Sequence, residues 1–436
     1  MPVLFHRDSP VAKVTPSPAG LNLIYDETWR ASPEAFPVSL SMPMAEAAWP
    51  PEVVVPWVMN LLPEGEPMRA MQRALGVAQE DVLGLLSAAG GDVAGALRVG
   101  GPRAEQGDYR PLPTPDDLER IIGELPRKPF LAGDKGVTMS LAGAQDKLPV
   151  ALLNGQIVIP LDGAPSTHIL KPDNPRLPGS VQNEALCMLL AARCRLPTAS
   201  VTTGRAGDRS YLLVDRYDRA GHAPAATRLH QEDFCQALRL PPGAKYERNQ
   251  TGVRGPSLAD MFALVRRHMT AVDITRLLDA VIFNIAIGNV DSHAKNYSIL
   301  LTADGAALAP LYDLMSGLPW PGITQNHAQA VGGQVRGRRI QARHWRRMAE
   351  ACGLAPAATV RRVIALTDRI QREIGAAAEA VAAMPTGGSA FLDGLVQDVT
   401  ERAAVVGRNA ARDDGEDDGE GQEPAARGEA FPSSPR

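Results

Sequence analysis

Apolar positions along this chain change their period several times, and the changes divide it. Leu21–Tyr25 alternates apolar and polar residues as a half-buried strand does, whereas Trp57–Leu62, Met68–Leu75 and Asp81–Ala88 carry helical spacing. A loop rich in Gly, Pro and Arg follows over Gly100–Pro115. Leu148–Leu153 and Gln156–Pro160 are two apolar runs separated by Asn154-Gly155, which predicts a hairpin because both turn positions need positive φ. Thr167–Lys171 reads as a third strand. Gln182–Arg193 reads as an amphipathic helix with Glu184 in its first turn. Ser200–Thr203 and Tyr211–Val214 are two more strands, running into the polar connector 215–219.

Beyond Leu229 the period is helical, most clearly over Gln231–Leu238, Leu258–Arg267 and Ile274–Ile287. A polar loop, Gly288–Asn296, is followed by a second hairpin: Tyr297–Leu301, the turn Ala303–Gly305, and Ala307–Ala309. That hairpin delivers Tyr312-Asp313. Helices are expected again over Arg343–Ala351 and Ala358–Ala380. No internal repeat is found.

At 436 residues the chain is too long for one small core. It is 44% apolar and 22% charged, as ordinary globular proteins are, with a net charge of -4. This balance gives no basic footprint for direct nucleic-acid binding. The arginines at 336, 338, 339, 343, 346 and 347 read as a solvated helix face. No apolar stretch approaches the roughly 18 residues of a membrane span, and no leader is recognisable, so a cytoplasmic protein without membrane contact is expected. Cys187, Cys194, Cys235 and Cys352 show no metal-type spacing and read as buried free thiols. From about Arg412 the chain is acidic and poor in apolar residues, so disorder is expected there.

The chemistry lies in the order of the elements. A small sheet with one strand lysine, Lys171, then a helix glutamate, Glu184, then a helical region, is the layout of a protein-kinase-like phosphotransferase. AsnValAspSerHisAlaLysAsn sets Asp291 five residues before Asn296, the interval of kinase catalytic loops. At this interval one carboxylate can face an acceptor hydroxyl while an amide oxygen reaches a metal. Asp313, after the hairpin, stands where kinases place a metal-binding Asp, although its setting is Tyr-Asp-Leu. Hard oxygen ligands suit magnesium. Small residues in Ser140–Lys147 would let backbone N–H groups approach phosphate oxygens. Glu184 fits two roles equally, pairing with Lys171 or favouring its own helix N-terminus. Lys295 is either a surface lysine or a group neutralising charge on the transferred phosphoryl. His293, two residues from Asp291, is expected at the site. The first 125 residues show no chemical motif and read as a structural or partner-binding unit.

Several long segments then resemble one family. They are SerLeuAlaGlyAlaGlnAspLys at 140–147, ThrHisIleLeuLys at 167–171, AsnGluAla at 183–185, LeuValAspArgTyrAspArg at 213–219, ArgLeuHisGlnGluAspPheCysGlnAla at 228–237, the 289–296 loop, ProLeuTyrAspLeu at 310–314, and AsnLeuLeuProGluGly at 60–65. In this order they are similar to the HipA-type serine/threonine protein kinase toxins of type II toxin–antitoxin systems. The resemblance implies an α+β, bilobal protein-kinase-like fold with a small mixed-sheet N-lobe, an extra N-terminal subdomain and a mainly helical C-lobe. The expected divisions are 1–125, 126–219, 220–405 and an acidic tail, 406–436.

It also implies ATP and Mg2+ as cofactors. Asp291 would be the proton acceptor and Asn296 and Asp313 the magnesium ligands. Lys171 would contact the ATP phosphates, and Ala142, Gly143, Ala144, Gln145, Asp146 and Lys147 would form the phosphate-side loop. Asp215, Arg216 and Tyr217 would form the hinge, and His293, Ala294, Lys295, Asn296 and Tyr312 would complete the pocket. Ser140 matches an inhibitory autophosphorylation serine. The partners implied are a HipB-like helix-turn-helix antitoxin, operator DNA bound through it, and a protein substrate such as an aminoacyl-tRNA synthetase. Asp146 and Asp215 depart from the family's usual Glu. A non-catalytic co-repressor scaffold and a small-molecule kinase are the competing readings.

Overall fold

The computed structural model describes residues 2–78, 81–100, 108–112 and 114–412. The first sheet has five strands in the order Ala48–Trp49, Gly20–Tyr25, Ser9–Ser17, Val3–His6, Arg98–Val99. Helices Pro51–Met59, Gly65–Leu75 and Val82–Ala89 follow the periodicity read from the sequence. Gly76 closes the second of these with φ 65, the left-handed conformation that a glycine adopts without penalty.

A second sheet orders its six strands Val201–Ala206, Arg209–Asp215, His168–Pro172, Leu148–Leu153, Gln156–Leu161, Asp108–Pro111. Asn154 (φ 51) and Gly155 (φ 79) make the tight turn the sequence called for. Every pairing in this sheet is antiparallel, so the mixed sheet that was expected is corrected. Two of these pairings, Leu148–Leu153 with Gln156–Leu161 and Val201–Ala206 with Arg209–Asp215, are tight hairpins, which join strands only in opposite directions.

The sheet also takes in a strand from before the expected division at 125. Asp108–Pro111, taken for part of a connecting loop, pairs with Pro160 and its neighbours as an edge strand. The flanking residues 101–107 lie outside the described residues. Packing goes further: one apolar cluster runs from Leu4, Leu23 and Trp57 through Leu85 and Ile121 to Leu148, Leu170 and Leu213. The N-terminal region and the second sheet therefore share a core.

A second apolar cluster belongs to the helical part, built on Leu190, Phe262, Phe283, Trp345, Ile370 and Val399. Leu258–His268 and Ala271–Ala286 each begin with a capping box, Ser257 with Asp260 and Thr270 with Asp273. Gln231–Leu238 was expected to be helical. Instead, His230–Asp233 is a strand paired with Ser298–Leu301, and only Phe234–Ala237 is helical. The backbone partners offered by that neighbouring strand outweigh the local period. Pro356–Ala382 and Ala390–Ala411 pack as a long helical pair. The second corrects the tail expected from 406: Val406, Gly407 and Ala410 are buried helix positions. The acidic run itself, from 413, lies outside the described residues.

All four cysteines are free and buried. Among the described residues no helix is long and apolar enough to cross a membrane, and no group of three or more His, Cys, Asp or Glu side chains is arranged to hold a metal.

Candidate active site

The site begins with a strand, a helix and a turn. Strand His168–Pro172 carries Lys171, and helix Ser180–Arg193 carries Glu184 beside it. Lys171 Nζ donates at 2.7 Å to Glu184 Oε1 and at 2.7 Å to Asp313 Oδ1. Since the helix starts at Ser180, Glu184 lies past its first turn. The structure thus favours the Lys171 pairing over the helix-terminus alternative. Burial alone would lower the Lys171 ammonium, but Asp313 and Glu184 outweigh it and hold it above its ordinary range. Burial would raise Asp313, yet Lys171 and Lys147 keep it well below the usual carboxylate range and ionised.

Asp313 has φ 56, a left-handed backbone on a residue that is not glycine. Such strain persists only where the surroundings enforce it, commonly at functional sites. The hairpin Ser298–Thr302 and Gly305–Leu308 leads into this turn. Tyr312 donates to the Lys295 carbonyl at 2.7 Å, tying the turn to the 289–296 loop.

In that loop, Asn296 Nδ2 donates to the Asp291 carbonyl at 2.8 Å, which fixes the amide plane. The Asp291 carboxylate accepts from the Tyr246 hydroxyl. Burial pushes Asp291 up to about 6, against the pull of that phenol and of Lys245, with Asp313 and Glu64 adding to the rise. The His293 ring stands edge-on to Tyr246 at 5.1 Å, its Nε2 3.9 Å from Asp291. Burial, then Lys245, keeps His293 well below its ordinary pKa, so it is neutral at pH 7. Ala294 is buried, and its N–H donates to the Lys245 carbonyl at 3.2 Å.

The 140–147 loop is docked on the N-terminal region. Residues Pro63 and Gly143 form a parallel bridge, as do Asp92 and Met139. Ser140 is fully buried, its hydroxyl 3.5 Å from the Leu61 carbonyl. Lys147 Nζ donates back to the Ala142 carbonyl at 2.8 Å, closing the loop on itself. Gly143 sits at φ 105, a backbone conformation that a residue with a side chain adopts only under strain. Burial, then Lys171, lowers Lys147 to about 8. Within this loop Ala144 is exposed, while Gln145 and Asp146 are half-buried, and burial raises Asp146.

Two side chains of the expected site are held by buried partners. Lys295 is 6% exposed, with Nζ held by Asp233 at 2.8 Å and Asn60 Oδ1 at 2.6 Å. A buried ammonium takes the nearest carboxylate and amide, so Lys295 braces the 289–296 loop against the N-terminal region. The Arg216 side chain enters a buried ion cluster with Asp218 (2.7 Å) and Asp92 (3.5 Å), whereas the hinge role expected of this residue rests on its backbone. Its connector neighbours differ. Asp215 is exposed and paired with His168 at 2.8 Å, and the Tyr217 ring stacks on Tyr312 at 5.5 Å.

Sequence reasoning missed Tyr246, Asn60 and Glu64. Tyr246 lies in an irregular stretch with no readable period. Glu64 pairs with Lys245 at 2.9 Å. Asn60 and Glu64 lie in the 60–65 segment, whose resemblance was the available signal. The N-terminal region, read as chemically silent, therefore contributes side chains beside the 289–296 loop.

A strand lysine paired with a helix glutamate, together with a buried Asp–Asn loop and a strained Asp turn between two lobes, defines the fold and site arrangement of a protein-kinase-like phosphotransferase. Comparison with known proteins supplies the family. The model for the HipA-like C-terminal domain matches residues 139–378, more than half the chain, and that for the HipA N-terminal domain matches 3–100. This chain belongs to the HipA family. It is 39% identical over 358 residues to Y4mE of Sinorhizobium fredii, covering 80% of this chain and 84% of that one. It is 31% identical over 322 residues to the serine/threonine-protein kinase toxin HipA of Shewanella oneidensis, covering 70% and 72%. A solved Shewanella oneidensis HipA, in complex with HipB and its operator DNA, superposes with a TM-score of 0.81 at 25% identity, over 92% of this chain and 96% of that one.

Proposed function

We propose that this protein is an ATP- and Mg2+-dependent serine/threonine protein kinase acting as the toxin of a HipA/HipB-like module. The observation that carries the reading is Lys171 bridging Glu184 and Asp313 within the field of Asp291. Two carboxylates share one ammonium, and the buried atoms Glu64 Oε1 and His293 Nδ1 have no partner. A cleft with spare acceptors and an ionised, strained Asp313 fits a cation with its phosphates. Asn296 and Asp313 would hold the magnesium, and Lys171 with the 142–147 loop the phosphates. When bound, the metal–nucleotide supplies the transferable phosphoryl group and neutralises charge developing on it.

The chain's own residues do the rest. Asp291 takes the proton of an acceptor hydroxyl, and a carboxylate near 6 is suited to this because it is ionised at pH 7 yet basic enough to accept. Tyr246 holds the Asp291 carboxylate in place. Tyr217 and Tyr312 offer stacked aromatic faces beside the hinge. Ser140 would serve as the autophosphorylation site. Its present burial means a phosphate, with about -1.5 to -2 charges, would have to displace the loop. The antitoxin partner would be a helix-turn-helix protein bound to operator DNA, and the acceptor a protein, for which an aminoacyl-tRNA synthetase is the family's suggestion.

The test is purified chain with Mg-ATP and mass spectrometry of Ser140. Labelling is expected, and Asp291→Ala should reduce it about 100- to 10,000-fold. Nucleotide binding without any turnover in the unmutated chain would leave the co-repressor scaffold instead.

A further inference from the structure

The arginines that read as one solvated helix face are split between two elements. Arg336, Arg338 and Arg339 lie on a strand and a short 3-10 turn, whereas Arg343, Arg346 and Arg347 lie on helix Ala342–Ala351. The first three line a groove of about 600 Å3 with Trp320, Gln325 and Arg402. Arg402, from helix Ala390–Ala411, is 5% exposed, and its Nη1 has no hydrogen-bond partner. Its Nη2 donates to Gln325 at 3.1 Å. Gly337 makes room for it, since a Cβ there would lie 2.8 Å from Nη1. Asp398 and Glu401 also border the groove, and Glu401 pairs at 2.8 Å with Arg338 at the exposed rim. Four guanidinium groups against two carboxylates leave the groove positive, and a buried guanidinium donor without an acceptor favours an anionic occupant.

The chain supplies an anion of its own. Residues 413–423 carry seven acidic side chains and no basic one. They begin one residue after the helix that carries Arg402 and Asn409, and Asn409 Nδ2 donates to the Arg338 carbonyl at 2.9 Å. From Arg412 the groove lies roughly 15 Å back along that helix. Eleven residues can span about 35 Å. We propose that the acidic segment 413–423 docks in cis in this arginine groove, its carboxylates taking the donors of Arg336, Arg339 and Arg402. Trp320, Pro321 and Gln325 in the wall come from the stretch that follows Asp313, and His327, packed beside Gly337, sets its Nδ1 2.9 Å from the Asn289 carbonyl of the catalytic loop. A docked tail therefore lies along the segment leaving the candidate metal turn.

The four native cysteines are buried, so Gly421→Cys gives one reactive thiol on the full-length chain. It can be labelled with bimane, whose emission tryptophan quenches on contact. Dim emission is expected, brightening several-fold in Trp320→Phe, in Arg336→Glu with Arg339→Glu, and for the unmutated arginines in about 0.5 M salt, where screening is strong. Excess peptide of the 413–423 sequence added in trans should brighten it too. Emission unchanged by Trp320→Phe, or quenching that survives both the arginine substitutions and salt, would overturn the proposal, leaving the groove for another chain's acidic segment. The readout needs no catalysis, so it stands apart from the kinase assay.

Discussion

Two buried ionic clusters in this protein are built differently. Around Asp92, three guanidinium groups converge: Arg219 at 2.7 Å, Arg228 at 3.1 Å and Arg216 at 3.5 Å, with Ser166 completing the second oxygen at 2.5 Å. Asp218 adds the fourth side, taking Arg216 at 2.7 Å, Arg219 at 3.0 Å and the Gly95 N–H at 2.7 Å. Both carboxylates are ionised because the arginines outweigh their burial. This cluster is closed, and it rivets the N-terminal region to the connector. The Lys171 cluster is open. It holds two carboxylates for one ammonium, a strained Asp313, and neighbours with orphan atoms. Completeness marks structure here, and incompleteness marks a place for a ligand.

Substitutions should separate the two. The largest effect on activity belongs to the open cluster. Asp313→Ala should reduce phosphoryl transfer by at least about 1,000-fold in a kinase assay while thermal unfolding changes little, because its charge acts on the transferred group. A loss of fold without loss of specific activity would merge the two clusters into one structural class. In the closed cluster, Asp92→Ala leaves Arg228 buried without its carboxylate and Arg216 and Arg219 sharing Asp218 alone. It should cost about 3–5 kcal/mol in urea unfolding. An unfolding midpoint equal to that of the unmutated chain would show the cluster to be spare.

Smaller effects sharpen the picture at Asp291. A base must be ionised, so activity should fall on the acid side as pH drops through about 6. The Tyr246 hydroxyl lowers that pKa, so Tyr246→Phe should move the acid limb to higher pH. The Glu64 charge raises it, so Glu64→Gln should move the limb the other way, and by less. Limbs that stay fixed in both variants would mean the profile reports another group. A shift in Glu64→Gln would show that the N-terminal region tunes the proposed base directly.

Local elements were legible because their causes are local. The Asn154-Gly155 hairpin needs only two residues that tolerate positive φ. The helices at 258–268 and 271–286 announce themselves by period and capping boxes. The Asp291–Asn296 interval and the Asp313 hairpin could be read because kinase-type chemistry constrains spacing along the chain. The strand at 230–233 could not be read, since its partner is almost seventy residues away.

What the sequence by itself determined is which residues carry charge and at what intervals, and hence the family and the short-range elements. Only the tertiary structure decided which charges meet. Lys295 was free to face a phosphoryl group until Asn60 and Asp233 came within reach. The Arg216 side chain had no assigned partner until Asp92, more than a hundred residues earlier, turned it inward. The reason is physical: the energy of a buried charge depends on its nearest partners and on the loss of water, and neither is a property of chain distance.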